Sequence, residues 1–409
     1  MPRRPQPPSR RNAGRILACI IACLAALAAV GVFVSQTFFS RAQENSTKLG
    51  RSEPGARHWN DRIASVPWSV HIVEVERTHP GLGYYAGLAT GKVLGISRVS
   101  DMARALPREL GRPVAAINGD FYERDNRTYA GDPRGLQIVN GELVSGTSTA
   151  ALWFDADNTP HIDDVRDEFL VTWPGGQKTV FDLNQQRRPN TAVLYTPTYG
   201  DSTRAAGGRD FILEKAKDGP WLPLKPSERY QARVRDISQL GNAKIPPDAM
   251  VLSIGQQLLS KLPNVETGAV VEISTALRPE LKGVATAIAG GPAIVKNGKP
   301  FTEDAVSGSS GGYSERSKYE RHPRSAVGWN DKKFFFVTVD GRQPGLSVGM
   351  TLAELGEYMA TKLKCTDGMN LDGGVSASLW MSGSTVSDPC QGERAVANSL
   401  ILYRKATKE

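Results

Sequence analysis

Three carboxylates in this chain stand at the ends of apolar runs and beside glycine: Asp120 in "AAINGDFY", Asp340 in "FFFVTVDGRQPG" and Asp372 in "GMNLDGGVSASLW". Glycine next to an acid is ordinary turn composition, because glycine reaches positive φ without steric cost. Three such exits in one chain point instead to a built site. Two carboxylates on one rim suit general acid–base or nucleophilic work at a sugar carbon. Arg134 in "GDPRGL", Arg324 in "RHPRSAVG", Arg342 in "DGRQPG" and Arg394 in "GERAVAN" lie in short Gly- or Pro-bearing segments beside predicted strands. Guanidinium forks match phosphate or carboxylate oxygens in pairs, so an anionic substrate is expected. Ser376 and Ser378 sit outside any G-x-S-x-G elbow, and "AIAGGPAIV" is not a dinucleotide fingerprint.

These residues need strands and turns to hold them. "WSVHIVEVER" alternates apolar and polar positions as a half-buried strand does, and a helix is expected over Arg98 to Leu110. Val114–Ile117 reads as a buried strand running into Asn118-Gly119-Asp120. "GLQIVNGELVS" and "GPAIVKNGKPF" each place Asn-Gly between apolar runs, the composition of a two-residue hairpin, and their repeated layout hints at an internal duplication. Lys333–Val339 reads as a buried strand ending at Asp340. Thr351 and Glu354 form a capping box ahead of apolar residues at helical spacing, and a short strand then leads to Asp372. A right-handed strand–helix–strand crossover makes the two strands parallel and brings Asp340 and Asp372 to one edge. The polar insertion Phe301–Ser325 is longer than most connections, a class that is often functional or mobile.

The net charge of +8 is local: residues 1–51 hold eight basic side chains against Glu44 alone, and the remaining chain is nearly neutral. With no basic run in the body, nucleic acid is not an expected partner. Five arginines precede the uninterrupted apolar run 16–34, long enough to span a bilayer, so export is expected, with the segment retained as an anchor or removed as a signal. Residues 1–40 are thus the basic and apolar leader, 41–62 a polar tether and 63–405 the folded domain. Cys365 and Cys390 are the two thiols of the body and are expected to form a disulfide in an oxidising compartment. The five histidines are scattered, with no ligand spacing. No cofactor is expected to be required, and a structural divalent cation stays open.

"INGDFY", "PRGLQIVNGELVS", "AIAGGPAIVKNGK", "RHPRSAVGW", "VTVDGRQPGLSVGMTLAEL", "MNLDGGVSASLW" and "GERAVANSLIL" follow one another in an order that resembles the phosphodiester glycosidase family. The resemblance implies an α+β domain of mixed β-sheets with few helices. It also implies hydrolysis of a sugar-1-phosphodiester at the anomeric C–O bond, releasing free sugar and a phosphomonoester. Applied to this chain, Asp372 is the leading catalytic carboxylate, with Asp340 or Asp120 as partner. Asn118 and Ser376 are expected to bind sugar hydroxyls and Arg134 and Arg342 to hold the phosphate, with Gly119, Arg324, Asn370, Gly373, Gly374, Glu393 and Arg394 as further substrate-binding residues. The family's run after the acid has three glycines and two serines, where this chain has Val375 and Ala377. A phosphorylated glycan of the cell envelope or extracellular space is the expected partner. A non-catalytic phosphoglycan-binding protein and a P–O-cleaving phosphodiesterase are the competing readings.

Overall fold

The computed structural model describes residues 51–146, 149–300 and 315–406. The apolar run 16–34 and most of the 301–325 insertion lie outside these residues; no described helix is long and apolar enough to cross a membrane. The end of the insertion forms a short helix, Glu315–Tyr319, before the strand Arg324–Trp329 begins.

Two sheets frame the site. The first has eight strands in the order Ser52–Glu53, Ala56–Ile63, Trp68–Glu76, Lys333–Val339, Arg324–Trp329, Asp367–Asn370, Ala293–Lys296 and Lys299–Pro300. The second has five, with Gly111–Asn118 between Leu379–Met381 and Asn398–Lys405. A twelve-stranded sheet built mainly from residues 137–289 folds around its own core, including Trp173, Phe211, Tyr230 and Ile273. Among the described strands, pairing is antiparallel except between Asp182–Leu183 and Ala192–Tyr195. The fold is therefore mostly β with the few helices expected, and its sheets are almost wholly antiparallel rather than mixed.

Both faces of the eight-stranded sheet are covered, which is why "KFFFVTV" is apolar without alternation. Val73, Val75, Phe334, Phe336 and Met369 pack against Val114, Ile117, Leu400 and Leu402 of the five-stranded sheet. Val70, Ile72, Phe335 and Val337 meet Leu352, Leu355 and Met359 of the helix Leu352–Thr361. That helix begins at the expected box: Thr351 accepts from the Glu354 N–H and Glu354 from the Thr351 N–H. Trp68–Glu76 is thus buried on both faces, not on one. Its polar members Ser69 and His71 are consequently buried, and they have a partner described below.

Three other expectations change. The helix near Arg98 covers only Val99–Arg104, because Pro107 disfavours helical backbone at Leu106 and has no N–H to continue the ladder. The stretch 41–62 is not all tether, since Ser52–Glu53 and Ala56–Ile63 form the sheet's edge. Cys365 and Cys390 are free thiols, not a disulfide. Cys365 is buried just before Asp367–Asn370 begins, whereas Cys390 follows Asp388, whose N–H reaches Asp340 at the opposite end of the sheet. Both Asn-Gly hairpins form, with Asn140, Gly141, Asn297 and Gly298 all at positive φ, but in different sheets.

Candidate active site

Lys333–Val339 and Asp367–Asn370 each pair antiparallel with Arg324–Trp329, so they run in the same direction with that strand between them. Asp340 and Asp372 therefore leave the sheet at one edge, as the crossover reading requires, and Arg324 starts at that edge. The seam to the second sheet is made by one backbone bond and one side-chain bond: the Asp372 N–H donates to Gly119 O (3.0 Å) and Asn118 Nδ2 to Asp372 O (2.6 Å). Asn118 Oδ1 accepts from Ser325 Oγ (2.7 Å) and the Ser378 N–H (3.1 Å), so the fully buried Asn118 joins three segments and does not face a ligand.

Beyond this seam opens a cavity of about 380 Å³. Asp372, Gly373, Gly374, Val375 and Ser376 form its floor, and Tyr122, Arg124, Arg134, His322, Arg324, Arg342 and Arg394 line its walls. The floor requires glycine. A Cβ on Gly373 would lie 2.8 Å from Pro323 O, and Gly374 has φ of +62°. The Gly374 N–H donates to Pro323 O (2.8 Å), which fixes the turn to the opposite wall.

Asp372 is half-buried, and loss of water raises its carboxyl to about 6. Ser376 Oγ and the Gly373 N–H hydrogen-bond to it, and Arg394 and Arg124 oppose the rise. Asp120 does not line the cavity. Its Oδ1 accepts from the Phe121 N–H (2.7 Å) and its Oδ2 from the Gly135 N–H (2.6 Å). Burial nevertheless lifts it to about 7, with the charge of Asp372 adding to the rise. Asp120 thus clasps the loop that carries Tyr122 and Arg134 and reaches Asp372 through its field.

Asp340 is placed differently from the sequence expectation. It is 2 % exposed and does not line the cavity. Its Oδ2 accepts from Ser69 Oγ (2.7 Å) and lies 2.9 Å from His71 Nε2, and its Oδ1 accepts from the Asp388 N–H (2.8 Å). The carboxylate anchors the edge between helix and sheet. Asp340→Ala would leave several buried groups unpartnered, and is expected to cost about 2–5 kcal/mol of stability in denaturant unfolding. Material that does fold should keep wild-type pH dependence. Glu393 is likewise spent, accepting from the Ser100 N–H (2.8 Å) and Ser100 Oγ (2.7 Å).

Arg324 is 5 % exposed. Its Nε donates to Met350 O (2.8 Å) and its Nη2 to Ser317 O (2.8 Å) and Glu320 O (3.0 Å). Burial first, then Arg342, pulls its guanidinium down to about 10. Arg342 occupies left-handed backbone at φ +57°, rare for a residue with a Cβ. Its Nη2 donates to His322 Nδ1 (3.2 Å), and His322 Nε2–H donates to Arg316 O (3.1 Å). That tautomer is neutral, and burial with Arg324 and Arg342 lowers the imidazole below its ordinary value. Asn370 lines the cavity with Nδ2 donating to Gly291 O (2.9 Å).

The expected residues Arg134, Arg324, Arg342, Asn370, Asp372, Gly373, Gly374, Ser376 and Arg394 thus converge, while Asn118, Gly119, Asp120, Asp340 and Glu393 support them from behind. Tyr122, Arg124 and His322 line the cavity without having been singled out from sequence. Each lies within four residues of Asp120 or Arg324, and that closeness was the available signal.

Residues 241–403 match the family model described as phosphodiester glycosidase. No curated protein matches the chain. Among solved structures, a hypothetical protein from Synechocystis aligns with TM-score 0.68 and 19 % identity, covering 86 % of this chain and 62 % of that one. This chain thus spans less than two thirds of that relative. A Burkholderia pseudomallei K96243 protein proposed to be exported aligns with TM-score 0.63 and 21 % identity over 82 % of this chain and 74 % of its own. The catalytic domain of zebrafish N-acetylglucosamine-1-phosphodiester alpha-N-acetylglucosaminidase, auto-inhibited by its pro-peptide, aligns with TM-score 0.46 and 14 % identity, covering 88 % of this chain and 87 % of that one.

Proposed function

Taking the resemblance of residues 241–403 to phosphodiester glycosidases as premise, we propose that the chain hydrolyses sugar-1-phosphodiesters at the anomeric C–O bond. The observation that carries this reading is a half-buried carboxylate, Asp372, on the floor of a cavity whose walls are dominated by arginine. Such a site offers negative charge to an anomeric carbon and positive charge to a phosphate, the two centres that change charge when this bond breaks.

The electron pair of the C1–O bond leaves with the phosphate oxygen, where Arg324 and Arg342 hold the charge. Asp372 stabilises the positive charge growing at C1. Water supplies the hydroxyl to C1, and its proton ends in solution or on the phosphomonoester. A phosphate leaving group is weakly basic, so stabilising its charge outweighs protonating it. The basic and apolar N-terminus supports an extracytoplasmic location, tethered or secreted, with an envelope or extracellular glycan as substrate.

The test is hydrolysis of sugar-1-phosphodiesters by the full-length protein in water enriched in heavy oxygen. Label in the sugar is expected. Label in the phosphate would mean P–O cleavage and overturn the proposal.

A further inference from the structure

The cavity holds more positive charge than one phosphodiester can offset, and that charge is divided between two walls. Arg324 and Arg342, with the neutral His322 beside them, come from the eight-stranded sheet and its connections. Arg124 follows the strand Gly111–Asn118, and Arg394 directly precedes Ala395–Val396, which leads into the strand Asn398–Lys405 beside it. Arg134 joins the Arg124 wall through Pro133, which bridges to Tyr122. Asp372 lies between the walls, tied to one through Gly119 O and, by way of Gly374, to the other through Pro323 O.

Partners for these charges are few. Arg124 pairs with Asp125 (3.0 Å). Glu354, whose charge acts on Arg324, pairs with Arg321; Glu320, four residues before Arg324, pairs with Arg316; and Glu393 beside Arg394 is committed to Ser100. Among the described residues, Arg134, Arg324, Arg342 and Arg394 have no carboxylate within ion-pair distance; the acids that act on them from further away are Asp372 on Arg394, Asp120 on Arg134 and Glu354 on Arg324. Arg324 also lines the cavity while more than nine-tenths buried, and its three bonds to carbonyls use Nε and Nη2. Of these arginines, Arg324 alone is buried, while Arg394 is half-buried and Arg134 and Arg342 are exposed; an uncompensated guanidinium at the depth of Arg324 is costly unless an anion completes it.

We infer that the substrate carries two anionic groups, a phosphodiester on the Arg324–Arg342 wall and a second acidic group on the cleaved sugar, held by Arg394 on the opposite wall. This rests on the glycosidase reading and specifies its substrate class: an acidic sugar, such as a uronic acid, linked through a 1-phosphodiester. Two walls on either side of the catalytic carboxylate give one anion to each side of the anomeric carbon. A single phosphoryl group on the Arg324 wall would leave Arg394 facing water.

The test is calorimetric binding of glucose 1-(methyl phosphate) and glucuronic acid 1-(methyl phosphate), both as α anomers, to the full-length protein at low salt. The glucuronate is expected to bind at least about 10-fold more tightly. Arg394→Gln should remove that difference, whereas Arg342→Gln should weaken both ligands by similar factors. Equal binding by the wild type, tighter binding of the glucose ligand, or a preference that survives Arg394→Gln overturns the inference, as does failure of both ligands to bind. Failure of the glycosidase reading is distinguishable: the glucuronate preference would stand while heavy-oxygen label entered the phosphate.

Discussion

Asp372→Asn should abolish turnover while leaving the fold and the substrate affinity nearly intact. The amide keeps an oxygen to accept from Ser376 and the Gly373 N–H, so the floor of the cavity retains its bonds. It loses the charge that stabilises the anomeric carbon, and kcat/KM is expected to fall about 10³-fold or more. The stability effect has a definite sign. Because burial raises the Asp372 carboxyl to about 6, the ionised form is disfavoured in the folded protein, so a neutral isostere should unfold at the same or higher denaturant concentration. The reaction needs Asp372 ionised, and the wild-type kcat/KM should therefore rise with pH through about 6. Asp120, at about 7, feels the same charge, so the measured acid limb belongs to the pair. A variant retaining more than a tenth of wild-type turnover would move the chemistry to another group. An activity that falls as pH rises through 6 would make Asp372 the acid instead.

Much of this site was legible because local signals and tertiary placement agree. The capping box before Leu352–Thr361, the Asn-Gly turns and the run Lys333–Val339 are each decided by a few neighbouring residues, and all form where the sequence places them. From them follows the common edge of Asp340 and Asp372. What sequence could not give is the direction in which each side chain leaves that edge. Asp340 turns inward because Ser69 and His71, more than 260 positions earlier in the chain, fill a face that alternation assigns to solvent. That face became buried only when the five-stranded sheet and the helix covered opposite sides of one sheet. The disulfide reading failed for a related reason: two thiols 25 positions apart lie at opposite ends of strands whose direction sequence spacing does not specify. Tyr122 and Arg124 reach the cavity through the clasp of Asp120 on Gly135, again a contact between segments rather than within one.

Arg324→Lys tests why the phosphate wall is arginine, and it should be far from conservative. The native guanidinium spends Nε and Nη2 on the carbonyls of Met350, Ser317 and Glu320, which leaves Nη1 unspent on those carbonyls in a side chain that lines the cavity. A lysine has one nitrogen and can reach the carbonyls or the substrate, not both. Loss of a donor aimed at developing charge is expected to lower kcat/KM about 10²–10³-fold, and the abandoned carbonyls should cost about 1–3 kcal/mol in denaturant unfolding. The pH profile separates catalysis from this structural loss. Burial and Arg342 pull the native group down to about 10, which still leaves it charged throughout the neutral range. A lysine starts from about 10.4, and the same surroundings would bring its titration close to neutrality. Residual activity of Arg324→Lys should therefore decline as pH rises through roughly 8, a limb the wild type lacks. A variant with the wild-type alkaline profile and near-wild-type kcat/KM would show that phosphate charge is held elsewhere, leaving Arg342 and its neutral partner His322 to carry that wall.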